Sequence, residues 1–100
     1  MSTFPINIAK TNIVLSKEEG TQIARLLSSD AFRMWFLIYA KQDHFMMKRT
    51  VFAKENNFSN NEFFNAFKEL LEKKFLLCVN EEKKLYRFAA KGDQKNEELS

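Results

Sequence analysis

Residues 50–75, TVFAKENNFSNNEFFNAFKELLEKKF, read as two helices joined by a tight turn. Thr50 to Asn56 makes a short first helix, Asn57 and Phe58 turn the chain, and Ser59 opens a longer helix to about Lys73. Ser59-x-x-Glu62 has the form of a capping box, in which hydroxyl and carboxylate each satisfy an orphan backbone donor. Asn57 falls where the turn calls for a positive φ, which Asn tolerates better than most residues other than Gly. Ala53, four residues earlier, leaves room for the second helix to cross closely. Phe58, Phe63, Phe67 and Leu70 recur at helical spacing, which predicts that they share one buried face.

Outward from this stretch the chain alternates short helices and short strands. Residues 4–8 alternate apolar and polar as a strand does, with Pro5 confining it to an edge or to the strand's start. Ile13 to Leu15 reads as a second extended piece. Ser16 and Glu19 form another capping box, opening a helix to about Ser28 with Ile23, Leu26 and Leu27 as its apolar stripe; Gly20 weakens the first turn. Ser28, Ser29 and Asp30 re-cap the chain. The next helix, Ala31 to about Gln42, is apolar nearly all round, which predicts a central buried helix or one that shares a face with a second subunit. Phe32, Trp35 and Phe36 are expected in one core with Phe63, Phe67 and Leu70. Asp43-His44 reads as a loop and Phe45-Met46-Met47 as a short strand. Beyond the two-helix stretch, residues 75–79 and 84–88 form a β-hairpin about a loop at 80–83. Lys91 to Ser100 is polar and aperiodic, a tail or linker.

Composition limits what such a chain can do. One hundred residues at 45% hydrophobic content suit one domain with a modest core, and eleven Phe make that core aromatic. Two Gly and one Pro leave little punctuation, so helix should dominate. A single Cys cannot close an internal disulfide, which suits a reducing cytoplasm, and Cys78 is expected to be a small buried hydrophobe. No apolar run approaches the ~20 residues of a membrane span, and the first residues lack the pattern of a signal peptide. His44 is the only His, so no metal-ligand spacing exists; nor is there a nucleophile elbow or a phosphate-binding Gly loop. The adjacent carboxylates at 18–19, 81–82 and 97–98 lie in polar stretches and read as surface charge. These features predict a cytoplasmic protein that is not an enzyme and needs no cofactor.

A net charge of +3 permits a polyanionic partner without requiring one. The small residue, the turn-former four residues on and the apolar offsets resemble the helix-turn-helix pattern. The order helix, short strand, helix, turn, helix, hairpin over roughly Asp30 to Ala90 resembles the winged-helix family of DNA-binding domains, with residues 1–29 as an N-terminal extension packing on the core. That resemblance implies an α+β fold, mainly α with a small hairpin wing. It also implies double-stranded DNA binding in transcription regulation or in replication initiation of the plasmid and phage type. By it, Asn60, Asn61, Phe64, Asn65 and Lys68 face the major groove and the hairpin around Lys83 and Lys84 is the wing.

Two departures stand out. Family members often carry Gly after the recognition helix, where this chain has Lys74, and Phe64 takes a position usually polar. The Asn residues suit bidentate contacts to adenine, or else Asn60 and Asn61 support the cap and Asn65 is a solvated surface residue. Lys48, Arg49, Thr50, Lys68, Lys83, Lys84 and Arg87 could line a phosphate-facing surface. Residues 49–74 nonetheless carry five Lys/Arg against four Glu, so Glu62, Glu69 and Glu72 must point away from DNA. The alternative is a protein-interaction module on the same fold, docking through the Phe64 face. Homodimerisation through surplus apolar helix surface is also expected.

Overall fold

A computed structural model of the protein describes residues 5–10, 14–41 and 44–92. These residues form, in order, β1 (Ile6–Lys10), α1 (Lys17–Leu26), α2 (Ser29–Tyr39), β2 (His44–Met47), α3 (Arg49–Glu55), α4 (Asn60–Glu72), β3 (Leu76–Asn80) and β4 (Leu85–Phe88). The result is an α+β fold of four helices and a four-stranded mixed sheet in the order β2-β1-β4-β3. β1 runs antiparallel to β2 and parallel to β4, and β3 and β4 close the hairpin.

The helix starts are set by serine. Ser16 and Ser59 each accept a hydrogen bond from the backbone N–H three residues on, at 3.1 Å, while Glu19 and Glu62 reach back to the serine N–H at 2.9 Å. Both capping boxes are therefore complete. Ser28 caps α2 through Ala31, but no carboxylate stands at the third helical position. Glu69 of α4 takes that role across the fold, accepting from the Ser28 N–H at 2.8 Å.

The helix ends of α3 and α4 share one device. Asn57 and Lys74 have φ of 60° and 70°. The next residue in each case, Phe58 or Phe75, donates its N–H to the carbonyl five residues back, Ala53 or Leu70. This is the Schellman closure, with a non-glycine residue in the left-handed position both times. Both following Phe rings are buried and staple the turn to the core.

The core joins α2 and α4 to the inner face of the sheet. Met34, Ile38, Phe63 and Leu70 are fully buried, as are Ile6 and Ile8 of β1. Trp35 stacks between Phe32 and Tyr39, with centroids 5.4 and 5.2 Å away, and its Nε1–H donates to the Ala90 carbonyl at 3.0 Å.

Several expectations are revised here. Phe36 is 54% exposed rather than core. The buried stripe of α2 is Ala31, Met34, Trp35 and Ile38, and Phe36 sits about 100° round the helix from Trp35. Leu26 is likewise exposed, off the line through Ile23 and Leu27. Cys78 is exposed, because burial along the edge strand β3 fades from Leu76 outward and the register slips between Cys78 and Asn80. His44 belongs to β2, paired with Ala9, rather than to a loop. Val14 and Leu15 form no strand.

The N-terminal segment is not an appendage to the sheet. β1 is an interior strand lying between β2 and β4, so the short strand and the hairpin do not pair directly. Pro5 stands just ahead of the first paired residue, where its missing N–H costs the ladder nothing. Phe4, Ile13, Asp43 and the expected tail from residue 93 onward lie outside the described residues. No helix among the described residues is long and apolar enough to cross a membrane.

Candidate nucleic-acid interface

The turn between α3 and α4 is held from behind by a residue of α2. Arg33 donates through Nη1 to the Asn56 carbonyl at 3.1 Å, with the Asn57 carbonyl at 3.5 Å. Its guanidinium carbon lies 4.0 Å from the centroid of the Phe58 ring, and Asp30 is 3.5 Å from Nη2. Arg33 therefore satisfies carbonyls that the end of α3 leaves open and clamps the buried ring of the turn. Phe52, Phe58 and Phe63 pack mutually at 5.8–6.2 Å, which fixes α3 against the start of α4.

With Phe63, Ala66, Phe67 and Leu70 facing inward, helical periodicity turns Asn61, Phe64, Asn65 and Lys68 outward. All four are exposed, Phe64 by 45%. Among the described residues, the side chains of Asn61, Asn65 and Lys68 have no hydrogen-bond or ion-pair partner. The start of α3 adjoins this stripe. Arg49 Nη1 donates to Asn60 Oδ1 at 2.8 Å, and its guanidinium carbon is 5.8 Å from the Phe64 centroid. Phe64 also meets Phe63 edge to face at 5.7 Å. Arg49, Asn60 and Phe64 are thus brought together, with exposed Lys48 and Thr50 flanking Arg49 in sequence.

The hairpin loop is positioned by β1. The Asn7 N–H donates to the Lys84 carbonyl at 2.8 Å, and Asn7 Nδ2 reaches the Lys83 carbonyl at 3.4 Å. Asn80 Oδ1 accepts from the Lys83 N–H at 3.0 Å, and Lys84 completes the turn at φ 51°. Lys83 is exposed and Lys84 half-buried. The strand behind them touches α4 through Tyr86, whose ring meets Phe67 edge on at 5.6 Å. Burial raises the Tyr86 hydroxyl pKa, helped by Cys78 and Glu81 nearby. Arg87 departs from the expected grouping. Tyr86 and Phe88 face the helices, so strand alternation places Arg87 on the opposite sheet face, beside Ala9 and Leu77 in register.

The carboxylates of α4 are disposed unevenly. Glu62 is committed to the Ser59 cap. Glu69 is tied to the Ser28 N–H and to Lys73 Nζ at 3.1 Å, while Lys73 Nζ also reaches the Leu26 carbonyl at 2.5 Å. Partial burial works against the charged form of Glu69, but these donors outweigh it and hold the carboxyl below its usual range. Glu72 is the exception to the expected segregation, because it falls one turn beyond Lys68 on the same exposed stripe. It lies at the far end of the helix, in a hollow of about 330 Å³ shared with Leu26, Lys73, Lys74, Phe75, Lys91 and Gly92.

Sequence reading missed Arg33 and Asn7, which lie on α2 and β1 yet hold the turn and the loop in place. Neither belongs to a motif, since each acts through a backbone carbonyl distant in sequence. Compared with family models, curated proteins and solved structures, the chain finds no match.

Proposed function

We propose that this chain is a winged-helix-type domain that binds double-stranded DNA, with α4 entering the major groove and the β3–β4 loop meeting a flanking phosphate. The observation that carries this reading is the outward stripe Asn61, Phe64, Asn65 and Lys68, joined at its start by Lys48 and Arg49. Unpartnered amides supply the donor and acceptor pairs that base edges require, and lysines supply phosphate contacts. Glu62 and Glu69 are withdrawn into a cap and an ion pair, which lowers repulsion along the helix short of Glu72. Regulation of transcription and initiation of replication are the roles that suit such a domain in the cytoplasm, without enzymatic activity, and a pair of copies would read two half-sites.

The exposure of Phe64 favours a second reading, a protein-docking face on the same fold. Selection of duplexes from a random pool, repeated at two salt concentrations, separates them. Groove reading enriches one sequence class and shows affinity falling with salt; a docking module enriches none.

A further inference from the structure

We infer that Phe64 reads a thymine 5-methyl group, so that the site selects an A·T pair through a ring and an amide side by side; this rests on the double-stranded DNA reading above. Phe64 leaves 45% of its surface exposed in the middle of a stripe that is otherwise polar. A phenyl ring can neither donate nor accept a conventional hydrogen bond, and in the major groove the one apolar group on an unmodified base is the thymine methyl. The ring has a defined placement: Phe63 packs against it at an interplanar angle of 87°, and the Arg49 guanidinium lies 5.8 Å from its centroid. Arg49 is in turn fixed by Asn60 Oδ1 at 2.8 Å. An aromatic ring held by its neighbours presents its open part at low entropic cost.

The residues around the ring suit the partner base. Asn61 is three residues before Phe64 and Asn65 one after, both exposed and without side-chain partners among the described residues. An Asn amide matches N6 and N7 of adenine, the base paired with thymine. Ring and amide together therefore describe one A·T pair or two adjacent ones, whereas a G·C pair offers neither the methyl nor the adenine pattern. Arg49, the group best suited to guanine, already spends Nη1 on Asn60.

The test uses the full chain and duplexes selected from a random pool. Each thymine is replaced in turn by deoxyuridine, which removes the methyl and leaves every hydrogen bond intact. One position should lose about fourfold in affinity, the effect of burying a single methyl-sized group. In Phe64→Ala the thymine and uracil duplexes should bind equally. In Phe64→Leu, which keeps an apolar side chain, part of the difference should remain. At that position 5-methylcytosine should bind better than cytosine for the natural chain and not for Phe64→Ala. A selected duplex that binds tightly yet ignores every uracil replacement overturns the inference and leaves DNA binding standing. A chain that selects no duplex overturns both. Circular dichroism of the two variants, matching the natural chain, confirms that a lost difference reflects the missing ring.

Discussion

Arg49 and Asn60 are joined across the α3–α4 turn by a 2.8 Å hydrogen bond between Nη1 and Oδ1. The bond has two consequences. It fixes the Asn60 amide through its oxygen, and it holds a guanidinium beside the exposed ring of Phe64. A helix start that already carries the partial positive charge of its backbone N–H groups gains a fixed cation.

The core prediction contrasts two phenylalanines. Phe67 is 7% exposed, stacked on Phe63 and in edge contact with Tyr86, whereas Phe36 is 54% exposed. Phe67→Ala should cost roughly 3–5 kcal/mol by chemical denaturation, enough to unfold much of so small a domain. Phe36→Ala should cost less than about 1 kcal/mol. Equal losses would contradict the packing described.

Arg33 should be needed for the turn and not for any partner. Arg33→Ala removes the bond to the Asn56 carbonyl and the cover over Phe58, an expected loss of about 1–2 kcal/mol. Arg33→Lys keeps the charge near Asp30 but lacks the planar fork that serves carbonyl and ring together. It should recover little. Recovery of most of the stability by lysine would show that charge alone matters.

Glu69 makes stability depend on pH in a defined direction. Its folded pKa lies below the usual carboxylate value near 4.5, although partial burial opposes this, because Ser28 and Lys73 donate to the charged form. The stabilisation is therefore complete above the unfolded pKa and fades as pH falls through the folded one. Against Glu69→Gln, the natural chain should hold an advantage of about 1 kcal/mol at pH 7, discounted for exposure. That advantage should persist to about pH 5 and shrink below pH 4.5. An advantage that is the same at pH 3.5 as at pH 7 would mean the contact acts through shape alone.

What could be read directly from the sequence was local. The boxes at Ser16 and Ser59, the left-handed turn at Asn57 and the buried stripe of α4 each depend on residues within a few positions of one another. The outward stripe of Asn61, Phe64, Asn65 and Lys68 follows from the same periodicity. Pairings distant in sequence left no local trace. Nothing in residues 6–10 indicates an interior strand beside β4, and Glu69 caps α2 from 41 residues away. The meeting of Arg49, Asn60 and Phe64 depends on the angle between two helices, which neither helix encodes alone. Arg87 differs: alternation with Tyr86 and Phe88 marks its face, and grouping it by charge rather than by that period misplaced it.

Salt dependence should divide the lysines. If Lys48, Lys68 and Lys83 meet phosphates, alanine at each should weaken binding to all duplexes alike and reduce the salt slope by about 0.9 per contact. Lys91, paired with Glu19 at 2.9 Å beside α1, is the control and should leave the slope unchanged. A triple variant with the natural slope would remove these lysines from the interface.

The last prediction separates two asparagines on one helix by what each already does. Asn65 has no side-chain partner among the described residues, so its amide is available to a base edge. Asn65→Ala should then relax preference at one or two base pairs by about 1–3 kcal/mol. Non-specific affinity should stay nearly constant, because phosphate contacts dominate it. Asn60 is engaged by Arg49, so Asn60→Ala should act differently. It frees the guanidinium, disturbs the setting of Phe64 and lowers affinity for the selected duplex without replacing one preferred base by another. The measurement is a pair of binding profiles over all single-base variants of the selected site. Profiles for both variants that keep every base preference of the natural chain would show that neither amide reads a base, and would shift the weight to Phe64 as a protein-docking residue.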